Sequence, residues 1–93
     1  MIPSNLQGIF WSRDVSKLSL QRDKKYIIHQ VLAYGSLDNY KWLKSVYSKK
    51  EIKRVFVNYP RKTYTPSQFN FVKNYLLSIT NTLPDLTYVR STL

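Results

Sequence analysis

The sequence predicts an all-α fold, a small single-domain bundle of about four helices with an irregular N-terminal segment and a C-terminal tail. Three observations carry this expectation. Apolar residues recur at intervals of three and four between residues 22 and 79, capping residues open three of the periodic stretches, and Gly35 and Pro60 close two of them. With 93 residues the chain has room for one core, because a domain this small buries roughly 60 to 65% of the surface its unfolded chain exposes. Four Phe, two Trp and eight Tyr supply much of that core. Each can bury about 150 to 250 Å², more apolar area than a disordered chain carries.

Residues 1–21, with Pro3 and Gly8, read as an irregular segment ahead of a helical core over 22–79. The first helix is expected over 22–34, where Ile27, Val31 and Tyr34, broadened by Ile28 and Leu32, mark one apolar face. Gly35 would end it as a left-handed residue, and His29, on the side opposite Ile27 and Val31, would face solvent. Ser36 caps a second helix over 37–47 whose face is Leu37, Tyr40, Leu43 and Tyr47. Ser48 and Glu51 have the spacing of a capping box, opening a third helix over 49–59 with Ile52, Val55, Phe56 and Tyr59 on one side. Thr65, Pro66 and Gln68 combine a cap, a proline at the first helical position and a second capping box. They open a fourth helix over 66–79 on Phe69, Val72, Leu76 and Ile79. Residues 80–93 lack a helical period and read as an extended or mobile tail, from which Leu83, Leu86, Tyr88 and Val89 could dock.

Fifteen Lys and Arg against five Asp and Glu leave a formal charge of +10, which attracts polyanions and acidic protein surfaces alike. Eight of the fifteen lie between residues 41 and 62: Lys41, Lys44, Lys49, Lys50, Lys53, Arg54, Arg61 and Lys62. These are the candidate contacts for nucleic acid or an acidic partner. On the third helix Lys50, Lys53 and Arg54 fall away from Ile52, Val55 and Phe56, so they can meet phosphates without disturbing the core. An ordinary solvated face is the competing reading, and the shortage of balancing acids weighs against it. Two helices joined by a short corner permit a helix-turn-helix reading, with Asn70, Lys73 and Asn74 on the fourth helix as further contacts. Short helical hairpins are common in any small α domain, so the corner alone has little specificity. Tyr59, Tyr64 and Tyr88 are expected to be partner contacts, whereas Phe10, Trp11 and Trp42 are better placed to pack than to stack on bases.

Nothing in the chain composes a catalytic or metal centre. There is no Cys, one His stands without an acidic cluster, and two Gly leave no phosphate-cradling loop. Asp14 with Asp23 gives only a weak acid–base or metal pair. A non-enzyme with no cofactor is therefore expected. With no cysteine, no recognisable secretory leader and no membrane-spanning run in the sequence, a cytoplasmic location is expected.

Four stretches, FWSRDVSKL, IIHQVLAYG, LDNYKWLKSVYSKKEI and TPSQFNFV, extend from Phe10 to Phe69. Through them the chain resembles a small family of uncharacterised bacterial domains of unknown function. Members of that family look like companions of nucleotidyltransferase toxins of the AbiEii type. The resemblance implies an antitoxin-type or accessory protein that binds a co-encoded toxin and can also bind operator DNA. The reading from charge alone is a stand-alone nucleic-acid-binding regulator.

Overall fold

The computed structural model describes residues 2–11, 13–80, 82–84 and 87–89. Four α-helices follow one another: α1 (Lys24–Tyr34), α2 (Leu37–Val46), α3 (Lys49–Asn58) and α4 (Pro66–Phe71), the last running on into a π-turn (Val72–Leu76). Among the described residues the β content is one isolated parallel bridge, Tyr64 to Val89. The all-α bundle is thus the observed fold.

Helix α1 is its axis. Seven successive residues, Tyr26 to Leu32, are buried, because α1 packs on α2 and α3 and is covered elsewhere by the irregular segments. A helix enclosed on all sides must satisfy its polar side chains internally. Gln30 donates to the Ile9 carbonyl at 2.8 Å, tying the N-terminal segment to the axis, and Gln68 donates to the Leu32 carbonyl at 2.6 Å, tying α4 to it.

His29 is accordingly not solvent-facing: it is 1% exposed and bridges two chain segments. Its Nε2 lies 2.7 Å from the Tyr59 carbonyl and its Nδ1 2.7 Å from the Tyr64 hydroxyl. A carbonyl only accepts, so Nε2 carries the proton, Nδ1 presents its lone pair, and Tyr64 donates. Burial, above all, pulls the imidazole pKa down to about 4, and the nearby Arg61 charge adds to the effect.

The caps form where the sequence puts them, with different partners. Ser36 makes a full capping box with Asn39. Ser48 and Thr65 each accept from the amide three residues on, at 3.1 and 3.2 Å. Neither is answered by a return bond: Glu51 pairs with Lys24 at 2.5 Å and Gln68 is held by Leu32. Gly35 is extended (φ −83°, ψ 167°), not left-handed. Its lack of a side chain is needed for space, since a Cβ there would stand 2.6 Å from the Val31 carbonyl oxygen.

The end of α4 is displaced from the simple period. The Leu77 amide reaches back five residues to the Val72 carbonyl at 2.9 Å. That extra residue in the turn puts Leu77, not Leu76, into the core, while Leu76 is only half-buried. Ser78 then takes a left-handed conformation (φ 51°), which costs a non-glycine residue roughly 1 kcal/mol. It turns the chain so that the Ile79 amide closes on the Lys73 carbonyl at 2.8 Å and Ile79 is buried.

Five tyrosines act as struts. The hydroxyls of Tyr40, Tyr47 and Tyr88 donate to the carbonyls of Leu76, Leu20 and Phe56, Tyr34 bonds to Thr63, and Tyr64 to His29. Burial raises the pKa of Tyr47 to about 12 and that of Tyr64 well above the ordinary phenol value, so both stay protonated as donors. The described part of the tail docks instead of hanging free. Tyr88 lies 1% exposed against Phe56 and Phe69, with ring centroids 4.8 and 4.9 Å away, and its carbonyl accepts from the Tyr64 amide. Leu83 and Val89 also pack on the core, whereas Leu86 falls outside the described residues.

Candidate functional site

Helix α3 turns Ile52, Val55 and Phe56 inward, which leaves Lys49, Lys50, Arg54, Val57 and Asn58 exposed and Lys53 half-buried. The tight corner at Tyr47 and Ser48 fixes the start of this helix against α2, and the π-turn brings residues 78–80 back beside its far side. Between them lies an open groove of about 390 Å³. Lys50, Lys53 and Arg54 form its basic side, Val57 and Ile79 its apolar floor, and Asn58, Ser78 and Thr80 its remaining polar lining. The left-handed Ser78 therefore sits on the rim of the site; local strain of this sort often accompanies binding sites.

The electrostatics favour an anion here. Asp23 is taken by Arg13 and Arg22, each at 2.9 Å, and Glu51 by Lys24. Arg54 reaches Glu51 only at 4.0 Å, and among the described residues no carboxylate pairs with Lys50 or Lys53. Three cations thus share one groove with little internal neutralisation. Fixed cations so arranged are suited to phosphate or carboxylate oxygens.

The other basic residues are dispersed. Lys41 and Lys44 project from α2, with the Lys44 ammonium 5.1 Å from the Tyr40 ring centroid. Lys49 precedes the groove, and Arg61 and Lys62 lie on the loop after α3. Arg61 stands 5.2 Å from the Tyr26 ring centroid and Arg13 4.8 Å from it. Of the tyrosines expected as contacts, Tyr64 (0% exposed) and Tyr88 are core residues. Tyr59 alone is exposed, with the Lys25 ammonium 3.8 Å above its ring.

The expected packing of Phe10 holds, since it is fully buried, and Trp42 is half-buried against the core. Trp11 differs: it is 59% exposed and meets Tyr34 edge-on at 4.6 Å. Sequence periodicity missed a second exposed aromatic pair, Phe71 and Tyr75, and it missed the contribution of Val57, Asn58 and Ser78–Thr80 to the groove. The four-residue spacing of Phe71 and Tyr75, off the Phe69–Val72 stripe, is the signal that could have found the pair.

Asp14 and Asp23 make no joint site. Asp14 accepts from the Ser16 hydroxyl and amide, and Asp23 from Ser19, Arg22 and Arg13; these bonds hold both carboxyls below their usual range. Among the described residues there is no group of three or more His, Cys, Asp or Glu able to hold a metal ion, and no helix long and apolar enough to cross a membrane.

Fold and groove together define a small helical domain with a basic groove along α3. The chain belongs to a family of unknown function, DUF6922, whose model matches residues 6–56. That span contains α1, α2 and most of α3, including Lys50, Lys53 and Arg54, but not the residues 78–80 that complete the groove. No curated protein and no solved structure matches the chain.

Proposed function

We propose that this protein is a non-catalytic binding module that holds a nucleic acid through the basic face of α3. The observation that carries this reading is the shared groove of Lys50, Lys53 and Arg54, left without full neutralisation in a chain of charge +10. Each cation placed on a backbone phosphate releases condensed counterions, which makes affinity steeply salt-dependent and only weakly sequence-dependent. Replacing all three with glutamine tests it. The variant should remain folded, because none of the three belongs to the buried core and glutamine keeps helix-forming length, and should bind oligonucleotides more weakly. The slope of log K against log salt should become shallower by about 2 to 3. An unchanged slope removes this face from the interaction.

A second reading rests on the resemblance to companions of AbiEii-type nucleotidyltransferase toxins and on one surface feature. Tyr59, exposed beneath Lys25 and followed by exposed Arg61 and Lys62, keeps the tyrosine–arginine character that dominates binding energy at protein interfaces. In this reading the chain is an antitoxin-type partner of a co-encoded nucleotidyltransferase, and its excess charge speeds encounter with an acidic surface. Co-elution of the two proteins in size-exclusion chromatography at micromolar concentration, with growth rescue on co-expression, is the expected result. Separate elution without rescue eliminates it.

A further inference from the structure

Phe71 and Tyr75 form an aromatic pair that the core does not use. Tyr75 is 77% exposed and Phe71 36%, with ring centroids 5.8 Å apart and planes inclined by 32°. The chain links Tyr75 closely to the rim of the groove. Tyr75 precedes Ser78 by three residues, so their Cα atoms are at most about 11 Å apart. Lys73, which lies between the two aromatics in sequence, donates to the carbonyl of Ile79 on the groove floor at 3.2 Å. Trp11, also exposed, belongs to the N-terminal segment and does not line the groove.

We infer that the nucleic acid bound by this face is single-stranded, with its backbone on Lys50, Lys53 and Arg54 and one or more bases stacked on Tyr75 and Phe71. The inference rests on the nucleic-acid reading above and narrows its substrate class. A basic track beside exposed ring faces is the arrangement that retains single strands, whose bases are free to stack. A duplex keeps its bases stacked inward and would engage the cations alone. Stacking is tolerant of base identity, so affinity gained at the rings depends only weakly on sequence.

The test is fluorescence anisotropy with labelled oligo-U and oligo-dT of about 12 nucleotides and a duplex of similar length, using the full chain and Tyr75→Ala. Tyr75 is solvent-exposed, and circular dichroism checks that the variant stays folded. The single strands should bind more tightly than the duplex. Tyr75→Ala should lower single-strand affinity about tenfold, leaving the salt slope and duplex affinity unchanged. Equal binding of duplex and single strand, or a Tyr75→Ala change under about twofold, overturns the single-strand assignment while the basic-face reading stands. No binding to any of the three overturns both.

Discussion

Replacing Tyr88 with alanine is expected to destabilise the fold by about 3 to 5 kcal/mol, the cost of removing a large buried aromatic ring. Tyr88 is 1% exposed, its ring packs on Phe56 and Phe69, and its hydroxyl donates to the Phe56 carbonyl at 2.6 Å. The loss leaves a cavity at the centre of the aromatic cluster and an unpaired carbonyl at its edge. Tyr88→Phe keeps the ring and removes only the hydroxyl, so it should cost about 1 kcal/mol. Urea denaturation of the two variants separates the terms. A Tyr88→Ala cost under about 1 kcal/mol would contradict the docking of the tail and return Tyr88 to the surface role that its position near the C-terminus suggests.

The second large effect is a loss of stability in mild acid. His29 is neutral in the folded protein with a pKa of about 4, against an ordinary value of 6.5. Between these values the unfolded chain binds a proton that the folded chain refuses, so stability is fully present above pH 6.5, falls as pH drops, and levels off below pH 4. The difference amounts to about 3 kcal/mol. Structurally, a proton on Nδ1 would face the hydroxyl proton of Tyr64 and oblige that hydroxyl to turn and accept. Asp14 and Asp23, whose pKa values are lowered, lose their contributions only below their ordinary 3.8, which leaves the upper window to His29. His29→Phe should flatten the stability profile between pH 6.5 and 4. It should also cost about 1 to 3 kcal/mol at neutral pH for each partner left unpaired, the Tyr59 carbonyl and the Tyr64 hydroxyl. The same pH slope in variant and parent would show that another group governs the transition.

These two residues also show where sequence reasoning reaches its limit. Helix positions, the two caps Ser48 and Thr65 and the inward faces of α2 and α3 are local properties, written in apolar spacing and in residues that compete for the first amides of a helix. A period assigns one buried side per helix. Helix α1 is buried on several sides, so His29, polar and off the apolar stripe, is expected in solvent and is found bonded in the core, as is Gln30 beside it. The tyrosines mislead for a related reason: a phenol near a chain end resembles a contact residue until a carbonyl such as that of Phe56 is seen to satisfy it. Lys50, Lys53 and Arg54 were legible as an outward face, because α3 alone determines their direction. The groove was not, since its other side comes from residues 78–80, placed there by a π-turn and a left-handed serine that carry no strong sequence signature.

In the proposed function the partner binds the α3 face. Its most direct test is titration of the isotope-labelled protein with a short oligonucleotide, following backbone amide shifts by NMR. The largest changes should fall on Lys50, Lys53, Arg54 and Asn58 and on Ser78 to Thr80, and added salt should abolish them. Changes centred instead on Tyr59 to Lys62, or on Lys41 and Lys44 with α3 silent, would contradict it.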